Sequence, residues 1–312
     1  MLKTLGQWGL AAGATGVTGV GGCVAPASDA PSAGETVSLA TLAEDHVVPL
    51  RRAGAYCFAP VAVGGKPAGQ WLLDTGSSAT IVELGVARRL GLEPVAEGRV
   101  RGIGGTQTIG WLGPHTVAIG DAAVRVQRLG RLNLYALNRV VPYPLSGIVG
   151  FDVLATGPVT LHPVATPIGP PRLVFHRRGD FDPPLMKAVA LQRQGALPAV
   201  DAELAGGGRT RLVLDTGQDI ELTLPRSIAR RYPGIFAASA SGPTGSVGVG
   251  GSASGSRAWV AELTAMGHRF RDVPVKIEDR GEFGRLGMGL LRTLVLAFDA
   301  PAGRLWTRPV AR

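Results

Sequence analysis

One short carboxylate motif occurs twice in this chain and is its clearest sign of chemistry. Residues 74–76 read Asp-Thr-Gly after the apolar stretch 71–73, and residues 215–217 repeat the motif after the apolar stretch 212–214. Carboxyl side chains act in enzymes as general acids and bases. A single Asp-Thr-Gly is typical of ordinary turns, in which glycine takes a positive φ and aspartate binds local amides. Two copies in the same setting favour a chemical role.

Matching elements surround the two motifs in the same order. After each motif the sequence predicts a strand, a short helix, a glycine-rich turn, further strands, an apolar segment ending in glycine, and a closing hairpin. The intervals between matching elements are nearly constant, so the sequence indicates a duplicated unit. The helix, the turn and the glycine segment are 84–90, 102–105 and 147–150 in the first copy, and 225–231, 248–251 and 285–287 in the second.

The composition favours strands over helices. The chain has 46 glycines, and aromatic residues make up only 5% of it. This combination is typical of β-structure with many tight turns rather than of a helical bundle. Apolar residues make up 45%, which is enough to fill a core in each copy. The sequence therefore predicts a mainly β protein with two similar units.

The paired motifs resemble those of the retropepsin-like aspartic proteases. Each copy is similar to one retropepsin unit, so the chain looks like a single-chain version of a homodimer, over most of residues 47–309. The resemblance implies two acid-protease β-barrel lobes related by a pseudo-two-fold axis, with the catalytic cleft between them. It also implies a monomer with two lobes that acts on a polypeptide substrate.

The resemblance assigns roles to particular residues. Asp74 and Asp215 match the catalytic aspartates. The residues that would support this pair, partly by cross-bonding the two loops, are Thr75, Gly76, Ser77, Thr216, Gly217 and Gln218. The residues that would form two mobile flaps over an extended substrate are Gly102, Ile103, Gly104, Gly105, Gly248, Val249, Gly250 and Gly251.

The chemistry of such a pair explains its residue types. Two carboxyl groups held about 3 Å apart cannot both ionise cheaply, so they share one proton. The ionised member takes a proton from a bridging water, and the protonated member polarises the scissile carbonyl. Neither a metal nor another cofactor is needed. The glycine of each motif lets the two loops approach where a side chain would clash.

The second copy departs from the family pattern. Gln218 follows its Asp-Thr-Gly, where the first copy has Ser77, and the charged Asp219 comes next. Arg285 opens the segment that is apolar in the first copy. Two alternatives to a protease therefore stay open. In the first, the chain is a catalytically silent peptide-binding or scaffolding protein. In the second, each motif pairs with its equivalent in a second chain.

The N-terminus resembles a bacterial lipoprotein signal. Lys3 precedes the uncharged stretch 4–22, and residues 20–23 read Val-Gly-Gly-Cys. This pattern fits a secretory segment with a lipobox, which implies lipidation of Cys23. Cleavage by ordinary signal peptidase and a glycine-rich tail are the alternatives. With Cys23 lipidated, Cys57 is expected as a buried, inert thiol; otherwise a disulfide between Cys23 and Cys57 is conceivable in an oxidising compartment.

These patterns predict a domain order. A secreted, periplasmic protein with a lipid anchor in the membrane is expected. Its parts are a signal segment (1–23), a flexible tether (24–46), an N-terminal lobe (47–178), a linker (179–195) and a C-terminal lobe (196–312).

The charge and the remaining motifs argue against other classes. The net charge is +9, but the basic residues are scattered and form no run with aromatics between them, so a nucleic-acid partner is not expected. The five histidines lack metal-ligand spacing, so no metal site is expected. Neither a Walker A motif nor G-x-S-x-G occurs.

Two features have two interpretations each. The stretch 241–256 is rich in Gly and Ser and is either a flexible loop or a long second flap. Trp111 follows the first flap and either lines the cleft or packs beneath the flap.

Overall fold

The computed structural model describes most of the chain after the predicted tether. It covers residues 44–311 except 121, 178–180 and 239–243, together with the backbone of two short strands at 17–20 and 25–26. The predicted signal segment with Cys23, and the predicted tether, therefore lie outside the described residues apart from those strands and residues 44–46.

The first half of the chain is built from short strands with three short helices. Its strands are β1 (Val17–Val20), β2 (Ala25–Pro26), β3 (His46–Pro49), β4 (Arg51–Ala53), β5 (Tyr56–Val63), β6 (Lys66–Leu73), β7 (Ile81–Glu83), β8 (Ala96–Gly102), β9 (Gly105–Leu112), β10 (His115–Ile119), β11 (Ala122–Val126), β12 (Leu129–Leu132), β13 (Gly147–Val149), β14 (Pro158–His162) and β15 (Arg172–Phe175). Its helices are α1 (Leu84–Leu90), α2 (Tyr135–Asn138) and α3 (Phe151–Leu154).

The second half continues in the same manner. Its strands are β16 (Lys187–Ala190), β17 (Gln192–Gln194), β18 (Leu197–Leu204), β19 (Gly208–Asp215), β20 (Leu222–Pro225), β21 (Phe236–Ala238), β22 (Thr244–Gly248), β23 (Gly251–Ala265), β24 (His268–Glu278), β25 (Gly284–Gly287), β26 (Leu294–Asp299) and β27 (Arg304–Pro309). Its helices are α4 (Arg226–Ala229) and α5 (Met288–Leu291), and a 3-10 turn spans Ala205–Gly207.

The strands form three sheets, so the protein is mainly β as the composition predicted. The N-terminal sheet has eleven strands in the order β11-β10-β5-β6-β13-β7-β12-β9-β8-β2, with β4 beside β5. The C-terminal sheet has ten strands in the order β1-β22-β23-β24-β20-β25-β19-β18-β17, with β21 beside β23. The joint sheet has six strands in the order β16-β27-β26-β14-β15-β3.

The same strand pairings surround both Asp-Thr-Gly motifs. In the N-terminal sheet β6, which ends just before the first motif, pairs in parallel with β13. In the C-terminal sheet β19, which ends at the second aspartate, pairs in parallel with β25. A further parallel pair follows in each sheet, β7 with β12 and β20 with β24. Each motif therefore lies at the end of a buried strand that has hydrogen-bonded neighbours.

The joint sheet connects the two halves of the chain. Its central pair, β14 with β26, joins the closing hairpin of the first half to that of the second. The rings of Phe151 and Phe298 pack across this junction with centroids 5.9 Å apart. One buried apolar cluster contains residues from both halves. Burial of apolar surface therefore holds the halves together in addition to the sheet hydrogen bonds.

The segment 179–195 was expected as a linker and contains two strands instead of only irregular chain. β16 pairs with β27 in the joint sheet, and β17 pairs with β18 in the C-terminal sheet. β16 and β17 are the edge strands of these two sheets, and each pairs with backbone groups of its partner that would otherwise lie at the sheet edge. The pairing of β16 with β27 is long-range and leaves no local signal in the sequence, whereas β17 and β18 form a local hairpin.

Helix α1 shows how local sequence places an element next to the site. Glu83 accepts hydrogen bonds from the amides of Gly85 and Val86 at the first turn, and Gly91 ends the helix with φ at 73°. A carboxylate cap and a left-handed glycine are strong start and stop signals. The helix thereby covers one end of β7, which follows the first motif.

The structure places Cys57 in the core. Its thiol lies in β5 with 1% of the residue exposed and forms no disulfide with any described residue. Burial raises the pKa of the Cys57 thiol to about 12. No helix among the described residues has the length and apolarity to cross a membrane.

We predict that Cys57 reacts only when the protein unfolds. Because the thiolate is the reactive form, a pKa of about 12 leaves roughly one thiolate in ten thousand at pH 8. In the full chain with Cys23→Ser, a chromogenic disulfide reagent should titrate one thiol in guanidinium chloride and none without it. Rapid modification of the folded protein would show that this part of the core is open.

Candidate active site

The two Asp-Thr-Gly loops of one chain are hydrogen-bonded to each other. The Thr75 hydroxyl donates to the Leu214 carbonyl at 2.6 Å and accepts from the Thr216 amide at 3.0 Å. The Thr216 hydroxyl donates to the Leu73 carbonyl at 2.8 Å and accepts from the Thr75 amide at 3.0 Å. Both threonines are buried. These four reciprocal bonds lock the ends of β6 and β19 together.

This arrangement brings the two aspartates to one place. Asp74 and Asp215 are both 0% exposed. Each carboxylate accepts a hydrogen bond from the glycine amide of its own loop, from Gly76 at 2.8 Å and from Gly217 at 3.1 Å. A Cβ atom added to Gly76 would lie 2.5 Å from the Asp215 carboxyl carbon, and one added to Gly217 would lie 2.4 Å from that of Asp74. Each glycine therefore faces the opposite carboxyl.

The surroundings of Asp74 disfavour the charged form of its carboxyl group. Burial, and then the neighbouring negative charge of Asp215, raise the pKa of the Asp74 carboxyl well above its usual range. One oxygen of Asp74, Oδ2, is buried and accepts no hydrogen bond from the described residues. The protonated form of Asp74 is therefore favoured, and Oδ2 can still bind a molecule in the site.

The glycine-ending segments hold the two loops from behind. The Asp74 amide donates to the Val149 carbonyl at 3.0 Å, and the Phe151 amide donates to the Ser77 carbonyl at 2.7 Å. In the second half, the Met288 amide donates to the Gln218 carbonyl at 2.7 Å. Each loop is therefore tied to the chain that follows β13 or β25.

The side chains that follow the two glycines, Ser77 and Gln218, bind groups other than the two carboxylates. The single hydroxyl proton of Ser77 is donated to the Ala79 carbonyl at 2.7 Å, so it is not available to the carboxylates. Gln218 accepts a hydrogen bond from Arg285 through Oε1 at 3.0 Å, and its Nε2 donates to no described residue. Ser77 and Gln218 therefore support their loops through the backbone and neighbouring groups.

The glycine-rich turns are the tips of two hairpins that meet. We call β8–β9 the first flap and β22–β23 the second flap. The Gly104 amide of the first donates to the Val249 carbonyl of the second at 3.1 Å. A Cβ atom at Gly104 would lie 2.1 Å from the backbone of Gly251, and one at Gly250 would lie 2.4 Å from that of Gly105. The flap backbones touch so closely that only glycine fits at these positions.

Side chains at the flap tips differ in burial. Val249 is 3% exposed and packs in an apolar cluster of the N-terminal sheet, whereas Ile103 is half-buried. Arg101, next to Gly102, forms an exposed ion pair with Glu282 of the second half. Exposed pairs of this kind contribute little stability. Packing of Val249 is therefore the stronger contact that closes the flaps.

Both open interpretations of this region are now decided. Within the stretch 241–256, the described residues from Thr244 onward belong to the second flap rather than to a loop. Trp111 is 7% exposed and packs in the apolar cluster of the first flap, with its indole nitrogen against Gly98. It packs beneath the flap and does not line a cleft.

Each flap carries an extended segment of the N-terminus along its outer strand. β2 pairs antiparallel with β8 of the first flap, and β1 pairs in parallel with β22 of the second. The outer edge of each flap can therefore pair with an extended strand of polypeptide.

A buried group of charged residues beneath the second flap was not predicted as part of the site. Arg285 lies within 3.8 Å of Asp215, and Lys276 and Glu278 lie behind it. Arg285 had been noted only as a departure from the apolar pattern. Lys276 and Glu278 are two residues apart in a strand, so their side chains lie on the same face of the sheet. Two charged residues at this spacing were the sequence signal that could have indicated a charged group here.

No group of three or more His, Cys, Asp and Glu side chains in the described part of the chain could hold a metal ion.

Comparison with known proteins supports an aspartyl-protease relationship for the first half. A family model described as aspartyl protease matches residues 59–153. The match contains the first Asp-Thr-Gly, the first flap and β13, whereas the second motif lies outside it. No curated protein matched the chain. The family match thus points to peptidase chemistry.

We predict that an added methyl group at Gly76 disrupts the site. In Gly76→Ala the new Cβ would overlap the Asp215 carboxyl, and overpacking of an interior typically costs about 1–3 kcal/mol. Urea denaturation should show a lower free energy of unfolding. The control is Gly113→Ala, where an added Cβ meets no atom within 4 Å. Equal stability of both variants would contradict the close approach of the loops.

Proposed function

We propose that the chain is an aspartic endopeptidase that hydrolyses peptide bonds through a water activated by Asp74 and Asp215. One observation carries this proposal, the joining of two buried carboxyl-bearing loops of one chain by reciprocal threonine hydrogen bonds. The family match over residues 59–153 supports the same chemistry.

The first step is addition of water to the scissile carbonyl. A water lies between the carboxyls, and the ionised member takes one of its protons while the oxygen bonds to the carbonyl carbon. The protonated member donates its proton to the carbonyl oxygen, which gives a neutral tetrahedral diol. Burial strengthens both interactions because the effective dielectric constant is lower than in water.

The second step reverses the proton positions. The proton taken from water passes to the peptide nitrogen as the carbon–nitrogen bond breaks. One diol hydroxyl returns its proton to the other carboxyl as the carbonyl of the product acid forms. The pair then again carries one shared proton, and no covalent enzyme intermediate is formed.

We propose an extended polypeptide as the substrate. The pairing of β2 with β8 supports this, because it places extended chain along the edge of a flap. A cavity of about 210 Å³ beside the second flap tip would take a substrate side chain. Its polar lining is supplied by Gln107, Asn133 and Tyr135. Since the flap tips touch, substrate entry requires the flaps to separate.

The architecture and location follow as further proposals. We propose two retropepsin-like lobes related by a pseudo-two-fold axis within a monomer, which the matching pairings around β6 and β19 support. We also propose secretion across the inner membrane and attachment of the periplasmic protein through a lipid on Cys23. The lipobox-like residues 20–23 support this anchor. Metabolic labelling with a radioactive fatty acid, compared with Cys23→Ser, tests it.

We predict that each aspartate is essential. In Asp74→Asn and Asp215→Asn the shared proton is lost, and general acid–base catalysis typically contributes about 10²–10⁴-fold. The full-length proteins would be incubated with unfolded protein mixtures from about pH 4 to 7, and the products read by mass spectrometry. Asp201→Asn, an exposed aspartate of β18, is the control.

The outcomes separate the candidate functions. Cleavage by the wild-type and control proteins but not by either variant supports the endopeptidase. Cleavage by all four proteins would place the chemistry elsewhere. Folded but inactive wild type would favour the alternative, a catalytically silent peptide-binding protein of the cell envelope.

A further inference from the structure

Three charged side chains form a buried ion network beneath the second flap. Arg285, Lys276 and Glu278 have side chains that are only 2–4% exposed. The guanidinium of Arg285 lies 2.6 Å from one oxygen of Glu278, and the ammonium of Lys276 lies 3.3 Å from the other. The Ser246 hydroxyl of the second flap donates to Glu278 at 3.2 Å and contacts Lys276.

The network reaches the second aspartate directly. Arg285 Nε lies 3.8 Å from Asp215 Oδ2, and both side chains are buried. The same Nε donates to Gln218 Oε1 at 3.0 Å. Glu278 and Gln218 therefore hold the guanidinium from two sides, with its Nε 3.8 Å from Asp215 Oδ2. An arginine guanidinium keeps its positive charge in proteins.

The corresponding positions of the N-terminal sheet are apolar. Arg285 pairs with Val213 and Thr223, and Ile148 pairs with Leu72 and Ile81 at the same distance from the other aspartate.

The partners of Arg285 also match residues without charge. Thr223 of the second half corresponds to Ile81 of the first. Thr223 pairs with Lys276 and Ile81 pairs with Gly130, so Lys276 corresponds to Gly130. Glu278 then matches Leu132. The two halves therefore place the same backbone around each aspartate but different electrostatics.

Such a network is not explained by stability. Removing charges from water costs several kcal/mol per ion, and well-packed apolar residues are often at least as stabilising. Burial lowers the pKa of Lys276, and the charge of Glu278 opposes that change. The first half fills the same space with Ile148 and Leu132, so apolar residues are compatible with the architecture. The arrangement around Asp215 calls for a functional explanation.

We propose that Arg285, held by Glu278 and Gln218, keeps Asp215 as the ionised member of the carboxyl pair and leaves the shared proton on Asp74. Arg285 is a positioning residue in this account, since it acts through Asp215. This inference rests on the proposed endopeptidase function and gives the two aspartates different roles in the reaction. Asp215 takes the proton from water, and Asp74 donates to the scissile carbonyl.

The electrostatics of Asp74 agree with this assignment. Asp74 forms no ion pair with any described residue, and burial together with the charge of Asp215 raises its pKa. The charged groups to be considered around Asp215 are Asp74 from the facing loop, Arg285 from β25, Lys276 and Glu278 from β24, and half-buried Asp219, which attracts Lys276.

The two partners of one ion pair should shift the pH profile in opposite directions. Arg285→Met removes the cation beside Asp215, so both pKa values of the carboxyl pair should rise. The pH profile of peptide cleavage should therefore move to higher pH by about 1–3 units. Glu278→Gln leaves the cations uncompensated, so both pKa values fall and the profile moves to lower pH. Arg285→Lys keeps a cation at this position and should therefore shift the pH profile less than Arg285→Met does. Ile148→Met, the matched apolar position, should leave the profile in place.

A second readout does not depend on turnover. In the full chain labelled with ¹³C at the aspartate side-chain carboxyl, nuclear magnetic resonance follows each carboxyl with pH, and Asp74→Asn and Asp215→Asn assign the signals. Asp215 should titrate first from low pH, and Asp74 should remain protonated near neutral pH. Arg285→Lys and Glu278→Gln retain polar groups at their positions, so they test the account even if Arg285→Met does not fold.

The results distinguish this inference from the proposed function. If the protein cuts no substrate but Asp215 still titrates first and responds to Arg285, the endopeptidase fails and the charge assignment stands. If cleavage needs both aspartates but Asp74 ionises first, the assignment is wrong. Shifts in the same direction for Arg285→Met and Glu278→Gln, or none beyond those of Ile148→Met, would also overturn it.

Discussion

The close approach of two loops is the constraint on which the rest of this structure depends. Thr75 and Thr216 make four buried hydrogen bonds between the two loops, two with each other and two to the carbonyls of Leu214 and Leu73. Gly76 and Gly217 leave room for the opposite carboxyl. Neither loop can take this position alone, because its hydroxyl and amide partners belong to the other half. The joint sheet, with β14 paired to β26, supplies the rigid connection that keeps the two strand ends in register.

The two halves have the same strand pairings around their aspartates but different buried side chains. Below the first flap, Ile148 packs in an apolar cluster that also receives Val249 from the second flap. Below the second flap, Arg285 and Glu278 form a buried ion pair. Two close carboxyls share a proton whatever their surroundings, and this difference gives the two members of the pair distinct environments within one chain. A single-chain protein can vary its halves independently, which a symmetric homodimer cannot.

Local signals in the sequence predicted much of the fold and the central residues of the site. Helix α1 was confirmed to its end residues because Glu83 and Gly91 are local caps. The pairing of β16 with β27 was not predicted, since partners more than a hundred residues apart leave no periodic signal. Arg285 was noted as a departure, but its partners Lys276 and Glu278 were missed because a predicted strand does not reveal what its buried face contacts.

The most direct test of the account is a crystal structure of the full chain with a peptide analogue that carries a hydroxyl at the tetrahedral carbon. Such analogues bind tightly where an enzyme is complementary to the transition state. The account predicts that this hydroxyl lies within about 3.2 Å of a carboxyl oxygen of both Asp74 and Asp215, with both flaps over the peptide. A hydroxyl that contacts only one aspartate, or a ligand bound elsewhere, would contradict it.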